Sequence, residues 1–83
     1  MKLLKFHAEW CGPCKMVTKL LNNNNIEHTA IDIDTEDGAI ATSNYDIRTV
    51  PTLIMLDDES KEIKRHTGSM TVQQLKEFIN QND

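Results

Sequence analysis

Apolar residues come in short runs along this chain, and their spacing changes from one run to the next. Lys2 to His7 is short and apolar at adjacent positions, the pattern of a buried strand. Met16, Val17, Leu20 and Leu21 then recur at helical spacing and predict a helix, with Pro13 in a first turn where its missing N–H is not needed. Asn22-Asn23-Asn24-Asn25 stops that helix, because Asn favours helix ends and left-handed turns. Ile26 to Ile33 holds the alternation of a second strand. Thr35 can cap a helix over residues 36–44, with Ile40 facing inward. Tyr45 and Ile47 lead through Arg48-Thr49-Val50-Pro51-Thr52 to a third strand, Leu53-Ile54-Met55-Leu56. Asp57 to Ser60 reads as a turn, Glu62 to Thr67 as an exposed edge strand, and Gly68 as its break. Thr71-Val72-Gln73-Gln74 is a capping box, and Val72, Leu75, Phe78 and Ile79 form the apolar stripe of a last helix.

The resulting order is β-α-β-α-β-β-α, an α/β domain. A right-handed first crossover makes the first two strands parallel, and the later hairpin adds antiparallel ones. A four-stranded mixed sheet with helices on both faces is expected, because its strands are apolar on both sides. Eighty-three residues suit a single domain spanning 1–83, with a modest core and a net stability of roughly 5 kcal/mol. A net charge of −4, with Lys and Arg scattered, argues against general nucleic-acid binding. No run approaches the ~20 apolar residues of a membrane span, and the opening MKLLKFHAEW turns polar too soon for a secretory signal. A cytoplasmic monomer is expected.

The chemistry lies in Ala8-Glu9-Trp10-Cys11-Gly12-Pro13-Cys14-Lys15, which holds both cysteines of the chain. As a structural staple, a disulfide closing so short a loop removes little entropy from the unfolded chain. As a zinc site, the pair lacks a completing set, because His7, His28 and His66 form no H-x₃₋₅-H pair. No metal is expected. A redox pair fits the mechanics. Cys11 just ahead of a helix faces unpaired N–H groups and the positive end of the helix dipole, which favour the thiolate. Cys14 follows one turn later and can attack a mixed disulfide on Cys11. Gly12 lets the loop bend and Pro13 fixes its backbone, so the ring closes with little rearrangement.

Trp10-Cys11-Gly12-Pro13-Cys14-Lys15 resembles the active-site motif of the thioredoxin family. Val50-Pro51-Thr52 resembles the family's second signature, in which the proline bond is cis and lies against the dithiol. Gly68 is similar to the glycine that shapes the family's substrate groove, and Gln74-Leu75-Lys76-Glu77-Phe78 also looks like the family's last helix. The resemblance covers nearly the whole chain and implies the thioredoxin fold and disulfide-reductase activity. Cys11 is then the nucleophile and Cys14 the resolving thiol, with Pro51 shaping the site. Thr49, Val50 and Gly68 face the substrate, and Val50 pairs its main chain with an extended segment. Trp10 is a partly exposed lid beside the dithiol. No bound cofactor is implied: electrons come from NADPH through a thioredoxin reductase, and ribonucleotide reductase is one family-level substrate.

Three departures from the pattern matter. Most thioredoxins carry another strand and helix before the cysteine-bearing unit, whereas ten residues precede Cys11 here. A smaller sheet of lower stability, laid out like glutaredoxin, is the expectation. Thioredoxins usually place a buried aspartate six residues before the first cysteine, and that position is Lys5. A charged Lys5 near Cys14 favours the thiolate, with Asp32 as a possible partner; alternatively the shortened sheet exposes it and its stem reaches to water. His7 stands where an aromatic residue is common and either modulates Cys11 or is structural, while His28 and His66 read as surface residues.

A thioredoxin-type protein-disulfide reductase is therefore expected. A glutaredoxin-like enzyme using glutathione is disfavoured by C-G-P-C and by the lack of an evident charged pocket for the glutathione carboxylates. A redox-independent binding subunit of a larger complex is the remaining alternative.

Overall fold

The computed structural model describes residues 1–80. Two runs of consecutive apolar residues need burial on both faces, and they become neighbours at the centre of the sheet. These are β1 (Lys2–His7) and β3 (Thr52–Leu56). β2 (Thr29–Asp32) and β4 (Glu62–Thr67) flank them, in the order β2-β1-β3-β4. β1 runs parallel to β2 and antiparallel to β3, and β4 is antiparallel to β3. Alternate side chains then divide between two cores. Leu3, Leu53 and Met55 pack with Val17 and Leu21 of α1 (Gly12–Asn23) and Leu75 of α3 (Val72–Asn80). Leu4, Phe6, Ile54 and Leu56 pack on the opposite face, with Ala41 of α2 (Glu36–Asn44) and Tyr45. Phe6 meets Tyr45 edge-on, with ring centroids 5.8 Å apart. The α/β class, the mixed four-stranded sheet and helices on both faces all follow the sequence expectation.

The helix ends show how local sequence fixes the frame. Thr71 accepts from the Gln74 N–H at 3.1 Å, and the Gln74 side chain accepts from the Thr71 N–H at 2.8 Å, so the capping box is complete. The Thr35 hydroxyl accepts from the Gly38 N–H at 2.9 Å, and Glu36 and Asp37 place negative charge at the positive end of α2. Asn25 and Asp46 end α1 and α2 in left-handed conformations, with φ of 55° and 54°. The Ile26 N–H then bonds Leu21 O, and the Ile47 N–H bonds Thr42 O, both at 2.9 Å. Both ends are Schellman closures, with an isoleucine turned back onto the core.

Those closures correct the predicted start of the second strand. Ile26 belongs to the cap of α1, and the His28 ring bonds Ile26 O at 3.0 Å, so pairing begins only at Thr29. Two further expectations fail, at Ile40 and Val72. Ile40 is 57% exposed, because Gly38 and Ala41 face the sheet. Met16 points outward because Cys14, Val17 and Leu21 form the buried stripe of α1. Val72 is largely exposed, leaving Leu75, Phe78 and Ile79 to seat α3.

Candidate active site

The reactive segment lies between the end of β1 and the first turn of α1. A turn, with the Cys11 N–H bonded to Ala8 O at 3.2 Å, carries the chain into the helix. Cys11 is the N-cap, in extended conformation, and its Sγ accepts from the Cys14 N–H at 3.1 Å. Pro13 occupies the first turn, and no acidic residue stands there to oppose negative charge on Cys11. Cys11 and Cys14 are joined in a disulfide, their Cα atoms 5.3 Å apart. Cys11 is 5% exposed and Cys14 2%, both packed among Ala8, Ile33 and Val50. The arrangement meets the needs of thiol exchange: a sulfur held against a backbone donor at a helix N-terminus, with a second sulfur one turn behind it.

The loop before β3 closes the other side. The Val50–Pro51 peptide bond is cis, and Val50 O lies 3.7 Å from Cys11 Sγ. In the disulfide this is a contact; a Cys11 thiol has a proton to donate there. Pro51 O accepts from the Gly68 N–H at 2.8 Å, and Thr49 O accepts from the Thr52 hydroxyl at 2.8 Å. Gly68 has φ of +89°, a conformation glycine adopts without strain. Val50 is half-buried and packs against the cysteines, Thr49 is exposed, and Gly68 is tied to Pro51 through its N–H. Trp10, 70% exposed, donates from Nε1 to Asp34 Oδ2 at 2.8 Å, which ties the reactive loop to the turn after β2. Sequence reasoning missed Asp34, because the contact spans 24 residues and no local pattern marks it.

His7 is half-buried and shares with Ala8, Glu9, Cys14, Lys15 and Thr18 a cleft of about 420 Å³. In the strand register it faces Asp32. Gly12 is exposed at the helix start. His28 and His66, expected at the surface, are half-buried, and the His66 ring lies edge-on to Phe78. Among the described residues, no group of three or more His, Cys, Asp or Glu is placed to hold a metal ion.

Lys5 decides between its two expectations: the side chain is buried, with the residue 3% exposed, rather than reaching to water. It does not pair with Asp32. Its register neighbours are Ala30 and Leu53, and its Nζ donates to Thr18 Oγ1 at 2.7 Å. Thr18 was also missed, although its position four residues after Cys14 places it on the inward stripe of α1. Burial pushes the Lys5 amine below its ordinary 10.5. Between that lowered value and 10.5, the unfolded chain binds a proton that the folded chain does not, so this group makes stability rise with pH across the window. Lys5→Met removes the penalty and should stabilise by about 1–2 kcal/mol at neutral pH, raising Tm by roughly 5–10 °C. In thermal melts the gap to wild type should close as pH approaches 10.5; a gap independent of pH contradicts the assignment.

The comparisons with known proteins agree with this geometry. A family model for thioredoxin matches residues 1–81. The chain belongs to the thioredoxin family. It is 35% identical over 82 residues to the thioredoxin of Chlamydia caviae, spanning 95% of this chain and 79% of that one. It is 30% identical to the thioredoxin of Haemophilus influenzae, spanning 95% of this chain and 77% of that one. Among solved structures, a mutant thioredoxin from Halobacterium salinarum superposes with a TM-score of 0.83 at 28% identity, covering 96% of this chain and 72% of that one. Thioredoxin 1 of Thermosipho africanus superposes at 0.73 with 27% identity, covering 98% and 92%. Family membership and the paired cysteines make the chain a protein-disulfide oxidoreductase of thioredoxin type. Such proteins work with thioredoxin reductases and disulfide-bearing substrates. No helix among the described residues is long and apolar enough to cross a membrane.

Proposed function

We propose that this chain, as a single domain over residues 1–83, reduces disulfides in other proteins by dithiol exchange through Cys11-Gly12-Pro13-Cys14. The observation that carries the reading is Cys11 Sγ at the N-terminus of α1, bonded to the Cys14 N–H and paired with Cys14. Cys11 attacks the substrate disulfide, and Cys14 releases the product by closing the internal disulfide. Thr49, Val50 and Gly68 bind an extended stretch of substrate, whose main chain pairs with Val50. Pro51 shapes the loop before β3, and Trp10 covers the pair on the solvent side. NADPH supplies electrons through a thioredoxin reductase. Ribonucleotide reductase is a substrate of the expected kind, and the protein acts as a cytoplasmic monomer.

The test is reduction of insulin disulfides with NADPH and a panel of thioredoxin reductases, run beside glutathione with glutathione reductase. Turnover with a thioredoxin reductase supports the reading. Turnover with glutathione alone makes the protein glutaredoxin-like in its donor, and no turnover with any donor leaves a binding subunit.

A further inference from the structure

The two edges of the sheet are protected unequally. β4 carries Glu62, Lys64, Arg65 and His66, and its register against β3 shifts between Met55 and Leu56; charges and irregularities of this kind keep an edge from accepting another strand. β2, at the opposite edge, reads Thr29-Ala30-Ile31-Asp32, with no lysine, proline or register shift. The Ile33 N–H bonds His7 O, so by the two-residue period of a strand Thr29 and Ile31 turn their backbone groups to β1, while Ala30 and Asp32 turn theirs away. Asp32 O is taken by the Thr35 N–H and hydroxyl. The Ala30 N–H and C=O and the Asp32 N–H have no hydrogen-bond partner among the described residues, and Ala30 is exposed.

A groove of about 420 Å³ lies beside this edge, between β2 and α2. Ala30, Ile31, Gly38 and Ala41 line it, with Asp32 and Asp37 as its charged residues. Ile40, 57% exposed, follows Asp37 by three residues and so neighbours it on the helix surface. The charge around the groove has one sign. From Leu20 to Ile47 the chain holds six Asp and Glu and no Lys or Arg, whereas the rest holds nine Lys and Arg against seven Asp and Glu. Glu27, Asp34, Glu36 and Asp37 are exposed on the segments that flank β2. We infer that the outer edge of β2 and its groove dock a basic, extended segment of a partner protein. A residue lying antiparallel to Ala30 exchanges both main-chain bonds with it, and the segment's lysines or arginines meet the surrounding carboxylates.

A second copy of this chain is the weaker occupant. Two β2 edges would set like charges against each other. The basic residues of β4 are already engaged: Arg65 forks onto Glu62 and donates to Tyr45 O, and the Lys64 amine lies 4.9 Å from the centre of the Phe78 ring. A contact from β2 to β4 would also repeat head to tail without closing. A separate partner meets neither obstacle. With the strand order β2-β1-β3-β4, a segment on the outer edge of β2 lies beyond β1 from the Val50–Pro51 loop and leaves that loop open. β2 leads into the turn where Asp34 accepts from Trp10, so the docked partner is held on the side of the sheet that reaches the reactive loop. The edge recruits and needs no thiol to do so. Few main-chain bonds and a small groove make the contact weak and transient, and salt screens it.

The probe is a capped heptapeptide of alternating lysine and valine, titrated into the isotope-labelled, oxidised full chain and followed by NMR. Because the peptide has no cysteine, docking and disulfide exchange succeed or fail separately. Amide shifts should centre on Ala30, Asp32 and Gly38, and hydrogen exchange at Ala30 should slow by about tenfold near saturation. Raising NaCl from about 20 mM to about 500 mM should weaken binding by roughly tenfold. A glutamate–valine peptide should bind at least about tenfold more weakly. A lysine–valine peptide N-methylated along one edge should lose the protection of Ala30. Ala30→Pro removes an N–H that β1 does not use and should abolish binding, and the double variant Glu36→Gln/Asp37→Asn should weaken it by about threefold or more. Should Ala30→Pro fail to fold in a thermal melt, the double variant and the N-methylated peptide decide. Shifts confined to Trp10, Cys11 and Val50 overturn the inference, as does equal binding of the glutamate–valine peptide or no binding up to roughly 5 mM lysine–valine peptide. Concentration-dependent shifts on β2 and β4 in the protein alone, with a doubled mass in sedimentation, make the edge a contact between copies and overturn the partner.

Discussion

Cys11→Ser should lose insulin reduction by roughly a thousandfold or more, because a serine hydroxyl is a weak nucleophile toward disulfides at neutral pH. Cys14→Ser should behave differently. It keeps the sulfur at the N-cap of α1, so the first exchange still occurs, but nothing stands one turn behind to finish it. Turnover should fall as far as in Cys11→Ser, yet the protein should collect as a mixed disulfide with its substrate. Intact-mass spectrometry of the two variants after incubation with a disulfide-bonded protein reads this directly. The expected pattern is an adduct on Cys14→Ser and none on Cys11→Ser. Adducts on both or on neither contradict the division of labour, and full turnover by Cys11→Ser removes the dithiol from the function.

The second large effect is on stability. Gly38 is buried in the first turn of α2, and a Cβ there would land on the carbonyl oxygen of Asp32, close against the Thr35 hydroxyl. Neither neighbour is free to move. Asp32 O accepts from the Thr35 hydroxyl at 2.8 Å and from its N–H at 3.1 Å, and the Thr35 hydroxyl accepts from the Gly38 N–H. Gly38→Ala must therefore push α2 off the end of β2, at a cost of about 3 kcal/mol or more. In a domain this small the loss amounts to at least roughly 12 °C in Tm. Gly12→Ala is the matched control, since a Cβ at that helix start meets nothing within 4 Å. Urea titrations of the pair should show a large drop in midpoint for Gly38→Ala and little change for Gly12→Ala; equal stability would refute the clash. The Asp32 turn also precedes Asp34, the acceptor for Trp10, so Gly38→Ala should disturb the indole environment as well.

What the sequence made legible was local. The cysteine pair at a helix start, the Thr71 capping box and the doubly apolar runs at 2–7 and 53–56 each depend on neighbours a few residues away, so pattern and chemistry coincide. The misses came from geometry that no short window contains. Ile40 lies one step around α2 from the buried Gly38 and Ala41, and only the direction of the sheet fixes which step is inward; Val72 shares the stripe of Leu75 and Ile79 but stands at the first position of α3, where it is exposed. Ile26 looked like the start of a strand because the hydrophobic return after a left-handed cap has the same composition as a strand. The depth of Lys5 was undecidable from residue type, since its burial depends on α1 lying over β1 with Thr18 above it. Asp34 escaped for the same reason.

The nearness of the two sulfurs also bears on peroxide damage. Oxidation of a Cys11 thiolate by hydrogen peroxide gives a sulfenic acid, and a further oxidant would carry it to sulfinic acid, a form thiols do not repair. With the Cα atoms 5.3 Å apart, the Cys14 thiol can condense with the sulfenic acid first, expelling water and restoring the ordinary disulfide. The damaged state then rejoins the working cycle, and a thiol reductant recovers it.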